Sequence, residues 1–341
     1  ILATLWLGSL LIHTTIFSLS SPPQQNGQLK FCCGISLASS SQKGSKMVDI
    51  LSTPEPYMQK LESALIGPKV LLIGPSGTGK TFSIGTLVDW AAAQTPSKPV
   101  YVLFTENGLE TLLGYWRDRN LPVPTNLHWH VAMTAPLDLK SLIDMSDLSG
   151  KASYQALTNW TDNNRGKNNA YMRLLEALED FPDDRTGKKM GNIFSMDKTA
   201  IFVLDSLTEL SNACMKMIIG SKPTASQPEY GVAQNNLINF LRLLTQALPA
   251  TFVMTAHVDR QMDEITGTVK LMVKSIGKAL AADIPPLFSD VILTTREATK
   301  FYWDTAAANA DTKTRSLPIQ GKIEPNFGQI MNTWANRANV K

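Results

Sequence analysis

Val70-Leu71-Leu72-Ile73-Gly74-Pro75-Ser76-Gly77-Thr78-Gly79-Lys80-Thr81 is the stretch that decides how the rest of the chain is read. Four apolar residues predict a buried strand. The pattern G-x-x-x-x-G-K-T follows, and then a helical stretch with Ile84, Leu87, Val88 and Ala91 on one stripe. Strand, loop and helix in this order are the context in which the pattern binds phosphate. The glycines let the backbone fold tightly enough for successive N–H groups to point at phosphate oxygens. Lys80 would reach the β- and γ-phosphates, and the Thr81 hydroxyl would ligate Mg²⁺. The expected ligands are therefore ATP and Mg²⁺. The expected cradle is Gly74, Pro75, Ser76, Gly77, Thr78, Gly79, Lys80 and Thr81.

Working outward, the 341 residues are 43% hydrophobic and 18% charged, an ordinary globular balance with room for one large domain or two small ones. The net charge of +3 comes entirely from Lys30, Lys43 and Lys46, because residues 1–46 hold no acidic residue. The remainder is neutral, so a nucleic-acid surface would have to be a local patch. Three cysteines, two of them the adjacent Cys32-Cys33, form neither a disulfide framework nor a metal pattern. A reducing, cytoplasmic compartment is the expectation. Residues 1–46 read as a disordered or non-native upstream segment. Ile1 to Leu19 is apolar but lacks the basic region of a signal peptide, and His13, Thr14 and Thr15 interrupt it as a membrane anchor. Met47 then opens the domain that carries this loop, expected to be an ATPase domain over 47–330, with 331–341 as a C-terminal tail. No run in that domain is apolar and long enough to cross a membrane.

After Met47, strand and helix candidates alternate, which predicts an α/β fold with a mostly parallel central sheet flanked by helices. The strands expected are Val70–Ile73, Val100–Phe104, Leu127–Met133, Ala200–Leu204 and Thr251–Thr255. Helical stripes fall at Leu174, Leu178 and Phe181, and at Leu237, Leu241, Leu244 and Leu248, which Pro249 ends. Leu137–Lys198 is long and polar, with Asn/Asp/Gly clusters at 162–169 and 182–192. Val291–Thr295 and Lys300–Asp304 predict a C-terminal β-hairpin extension, with Lys313–Leu317 as a further strand.

The strand Ala200–Leu204 delivers Asp205 at its end, the position of a Walker B carboxylate that holds Mg²⁺ beside Thr81. Ser206, not Glu, comes next, so a base that activates water must lie elsewhere. Glu106 sits just past Val100–Phe104, at the carboxyl edge where ligands gather in parallel sheets. An acidic residue favoured at a helix N-terminus is the competing account. Glu110 is the second candidate. His257 ends the strand Thr251–Thr255 and is placed to contact a γ-phosphate, although a lone His is often structural. His128 and His130 read as structural, since no third metal ligand accompanies them. Lys313 and Arg315 would share one face of a strand. They are either an arginine-finger-like pair reaching a neighbouring subunit's γ-phosphate or a solvated basic edge.

Taken together, Gly74–Thr81, Glu106, Asp205-Ser206, His257 and Lys313 with Arg315 resemble the RecA-like P-loop ATPases. The nearest likeness is to phage-type AAA-family ATPases, the single-domain Sak-type recombinases, on the segments Asp205-Ser206-Leu207-Thr208 and Thr255-Ala256-His257-Val258-Asp259-Arg260. RecA itself has Gln where His257 stands. The resemblance spans roughly Val70 to Phe327. It implies a homo-oligomeric ring or filament and a DNA-contacting loop at 260–282. That loop holds Arg260, Lys270, Lys274 and Lys278, with Gly267 and Gly277 to bend it. Spacing of four would align the three lysines on one helical face. Such a stripe would bind DNA, single strands included, without sequence preference. The absence of aromatic residues weakens the single-strand case, and a solvated face beside Asp263 and Glu264 is the alternative. The expected activity is ATP hydrolysis coupled to DNA recombination, annealing or replication. A packaging or helicase motor, a P-loop kinase with Lys188-Lys189 as a lid, and a nucleotide-gated scaffold are the rivals.

Overall fold

The computed structural model describes residues 67–338 except 134–138, 154, 157–168, 221, 223 and 263–266. Residues 1–66, and with them the expected upstream segment and Cys32-Cys33, lie outside the described residues.

Seven strands form one sheet: β1 (Lys69–Ile73), β2 (Val100–Phe104), β3 (Leu127–Val131), β6 (Ile201–Asp205), β7 (Thr251–Ala256), β10 (Asp290–Glu297) and β11 (Lys300–Asp304). The chain adds two small hairpins: β4 (Pro182–Asp183) with β5 (Lys188–Lys189), and β8 (Val258–Met262) with β9 (Val269–Val273). Helices are α1 (Lys80–Ala92), α2 (Leu109–Arg117), α3 (Leu139–Lys151), α4 (Ala170–Glu179), α5 (Leu207–Ile219), α6 (Gln227–Arg242), α7 (Gly277–Asp283) and α8 (Phe327–Ala338). The sheet order is β11-β10-β1-β7-β6-β2-β3, parallel throughout except for β10 against β11.

β1, β2, β6 and β7 are buried along their whole length, as parallel strands covered on both faces must be. Side chains alternate between two cores. Leu71 and Ile73 face α4, α5, α6 and α7, where Leu174, Leu210, Leu237 and Leu280 pack. Val70 and Leu72 face α1, α2 and α8, through Leu87, Trp116 and Ile330. The stripe Leu237, Leu241, Leu244 and Leu248 is buried as its period requires. A π-turn over Leu243–Ala247 ends α6 just before Pro249. Lys69 closes that end from inside. Its ammonium donates to Leu248 O and Ala250 O at 2.7 Å each, and burial lowers its pKa to about 8.

The outer edge of β3 is not left open. Asp183 and Asp184 turn into it and accept from Trp129 N at 3.3 Å and Val131 N at 2.9 Å. His128 and His130 each bond one of these carboxylates at 2.9 Å, consistent with a structural role for both histidines. The 182–192 cluster is thus an edge-covering hairpin. Lys188-Lys189 belongs to it, with Lys189 paired to Asp180 at 2.8 Å.

Two elements differ from expectation. Lys313–Leu317 is not a strand. Lys313 makes an isolated bridge to Val291, and residues 315–317 bend away because buried Asp290 captures them. Asp290 accepts from Thr314 Oγ1, Arg315 N, Ser316 N and Ser316 Oγ at 2.8–3.1 Å. The shared strand face for Lys313 and Arg315 therefore does not exist. Nor do Lys270, Lys274 and Lys278 lie on one helix. Lys270 is in β9, Lys274 follows it, and only Lys278 is helical, in α7. β-branched Val269 and Val273 pair with β8 instead. After residue 330 the chain continues within α8, where Met331 is buried and Trp334 donates to Ser316 Oγ at 2.6 Å.

Candidate nucleotide site

The loop between β1 and α1 begins where Gly74 N donates to Ala256 O at 3.2 Å. Gly77 (φ 74°) and Gly79 (φ 83°) occupy the left-handed region, which other residues adopt only with strain. The first turn of α1 holds no acidic residue, and no side chain caps it. Its N–H groups and the positive end of the helix dipole are thus left for an anion. Lys80 folds back under the loop and donates to Gly74 O and Pro75 O at 2.8 Å each. Burial lowers its pKa to about 8, with Asp205 and Glu106 pulling the other way.

Four strand ends converge on this lysine. Thr81 Oγ1 donates to Asp205 Oδ2 at 2.8 Å. Thr255, at the end of β7, donates to the other oxygen of that carboxylate. Asp205 is fully buried, and desolvation pushes its pKa up against these two bonds. Glu106, past the end of β2, meets His257 Nε2 at 3.4 Å, and His257 Nδ1 lies 3.5 Å from Lys80 Nζ. A neutral imidazole protonated on Nε2 satisfies both contacts. The hydrogen bond from His257 holds the Glu106 carboxyl below its usual range despite partial burial. Backbone bonds lock the Glu106 loop to the carboxylate strand: Thr105 N donates to Asp205 O at 2.7 Å, and Ser206 N to Thr105 Oγ1 at 2.8 Å. Gly108 allows the approach, since a Cβ there would lie 2.6 Å from Asp205 Oδ2.

The resulting cavity, about 450 Å³, is lined by Ser76 to Phe82, Glu106, Gly108 and His257. Phe82 also borders a second cavity of about 580 Å³ with Tyr115, Arg119 and Phe301. A larger cavity, about 930 Å³, lies along the β8–β9 hairpin, away from these donors. The residues present fit a triphosphate with Mg²⁺. A buried ammonium and uncapped N–H groups face the anion's place, and a hydroxyl–carboxylate pair offers hard oxygen ligands. Among the described residues no three His, Cys, Asp or Glu side chains are placed to hold a metal ion together. Mg²⁺ needs no such cage, since it takes one or two protein oxygens besides water and phosphate.

The structure brings together Lys80, Thr81, Glu106, Asp205 and His257. Lys313 and Arg315 stand apart from that cluster. Lys313 pairs with Val291 near the start of β10 and donates to Pro286 O at 3.1 Å, whereas the loop follows the far end of β1. Glu110 is on the surface with Arg117. Two residues of the site carried no role of their own in the sequence: Thr255, seen there only as part of a strand end, and Gly108. The signal for Thr255 was a hydroxyl inside an otherwise apolar buried strand. For Gly108 there was none, because its need for space arises only where β2 and β6 pair.

A family model described as an AAA domain matches residues 66–317, well over half of the chain. The chain belongs to this AAA domain family. No curated protein matches it. Membership makes it a nucleotide-binding P-loop ATPase domain. Among the described residues no helix is long and apolar enough to cross a membrane.

The AAA domain's Lys80 predicts a pH dependence of binding. Bound phosphates favour the charged ammonium, so affinity is complete below pH 8 and falls by up to about tenfold per pH unit above it. The fall ends at the raised pKa of the complex. Isothermal titration with ATP across that range will show proton uptake on binding. Lys80→Arg, charged throughout, loses the alkaline fall.

Proposed function

We propose that the chain is a RecA-like, DNA-associated ATPase that acts in recombination, annealing or replication, of the phage type. ATP lies with its phosphates on the 74–81 loop, and Thr81 and Asp205 hold Mg²⁺. That ion neutralises charge developing between the phosphates when bound. Glu106 orients and deprotonates the attacking water. The base stacks beyond Phe82, in the cavity where the Arg119 guanidinium already lies 3.9 Å from the Tyr115 ring centroid. Lys313 and Arg315, held off this chain's own loop, serve a neighbouring copy in a ring or filament.

The observation that carries the reading is the position of His257. Its two ring nitrogens meet Glu106 and Lys80, and its carbonyl accepts from Lys274 N at 2.8 Å, where β9 ends. The residue that touches the phosphate end of the site is thus bonded to the base of the β8–β9 hairpin. That hairpin and the segment after it expose Arg260, Lys274 and Lys278. Lys270 is engaged by Asp311 at 2.7 Å and contributes less. In place of a helical lysine stripe, the DNA surface we propose is a basic β-hairpin.

The test is ATP hydrolysis with and without single-stranded DNA across a salt series. Stimulation by DNA and salt-sensitive binding are expected. Replacing Arg260, Lys274 and Lys278 together by Ala should flatten the plot of log affinity against log salt by about two units. No DNA binding at low salt, with ATP hydrolysis intact, would remove the DNA-linked reading and leave a nucleotide-gated scaffold.

A further inference from the structure

We propose that the β10–β11 hairpin is a brace that sets the phosphate loop in its anion-binding shape before nucleotide arrives, with Thr294 as the central positioning residue. The inference rests on the nucleotide reading above and adds how that site is preorganised.

A loop with three glycines in six residues has a large conformational entropy to lose when it closes on an anion. An order imposed beforehand removes that cost from binding. Each of the three glycines here faces one residue of the same hairpin. A Cβ on Gly74 would collide with Thr294 Oγ1. One on Gly79 would lie 2.5 Å from the Phe301 ring, and one on Gly77 would lie 3.9 Å from Arg296 Nη1. Arg296 is itself anchored, its Nε donating to Ala298 O at 3.0 Å. The hairpin is therefore moulded to the outer face of the loop.

Thr294 is fully buried and reaches the loop by a hydroxyl relay. Thr78 Oγ1 donates to Pro75 O at 2.8 Å, which uses its single proton. Either hydroxyl can donate across the 2.7 Å contact between Thr78 Oγ1 and Thr294 Oγ1; with the Thr78 proton on Pro75 O, it is the Thr294 proton that lies there. Two donated bonds in series tie the turn at Pro75 to β10. The Ile73 carbonyl, 3.1 Å from Thr294 Oγ1, is the secondary acceptor. Neither threonine hydroxyl is placed to do chemistry. Both act on the shape of the loop.

The experiment compares the parent chain with Thr294→Val, which keeps the shape and deletes the hydroxyl, and Thr294→Ser, which keeps the hydroxyl. Binding of Mg-ATP and of inorganic tripolyphosphate is measured, together with amide hydrogen exchange of 74–80 in the free protein. Thr294→Val should weaken both polyanions by about tenfold, the loss of one buried hydrogen bond. KM should rise by a similar factor, with kcat much less affected. Exchange of the loop should quicken, and Thr294→Ser should restore all three. Unchanged affinity for both polyanions in Thr294→Val, whatever its melting temperature, overturns the brace. A parent chain that binds neither polyanion overturns the nucleotide reading and the brace with it. Weakening of ATP alone would place Thr294 at the base end and also overturn it.

Discussion

Glu106→Gln hydrolyses ATP ~10²- to 10⁴-fold more slowly than the parent chain at saturating nucleotide, while ATP binding stays within about threefold. The substitution is nearly isosteric. The amide oxygen still accepts from His257 Nε2, 3.4 Å from the carboxylate in the structure, so the ring and its contact to Lys80 are kept. What is lost is the capacity to take a proton from water. Because the hydrogen bond from His257 holds the carboxyl below its ordinary 4.5, Glu106 is ionised above that pH. The acid limb of its activity therefore falls below pH 4.5, and hydrolysis does not decline from this group between pH 5 and 7. Single-turnover hydrolysis measured beside equilibrium binding separates the two effects. A rate loss under about tenfold would remove the base assignment.

Asp290→Ala lowers stability by roughly 3–5 kcal/mol. The carboxylate is fully buried and accepts from Ser289 Oγ, Thr314 Oγ1, Arg315 N, Ser316 N and Ser316 Oγ. Its removal leaves Arg315 N–H without its acceptor and buried Ser316 N–H with only Thr314 Oγ1, at 3.1 Å. It also frees the turn that carries Lys313 and Arg315. Urea denaturation should show a lower midpoint at unchanged slope. Asp290→Asn, which retains one acceptor oxygen, should recover part of the loss. An Ala variant as stable as the parent would mean that the 313–316 turn is held by other contacts.

The parallel strands were legible because burial on both faces forces near-continuous apolar runs, and Val70–Ile73, Val100–Phe104 and Thr251–Thr255 are such runs. Lys80, Thr81, Glu106, Asp205 and His257 were legible for a related reason. Each ends or follows one of those strands, and parallel strands deliver their carboxyl ends to one edge of the sheet. The segments after residue 257 were less readable. Lysines spaced by four at 270, 274 and 278 fit a helix as pattern, but the β-branched Val269 and Val273 pair across a hairpin. Lys313-Thr314-Arg315 fits a strand as pattern, yet a carboxylate more than twenty residues earlier draws its backbone into a turn.

The chain's order of residues alone determined that a phosphate loop would stand at the edge of a parallel α/β sheet, since a glycine turn after an apolar strand and before a helix has few other solutions. Only the tertiary structure decided what surrounds that loop. Thr294 and Phe301 reach it across the sheet from more than 200 residues away, and Asp183-Asp184 seal an edge strand from another hairpin. Lys313 and Arg315 are held off the loop of their own chain. Such contacts are made between side chains distant in sequence, and no local periodicity records them.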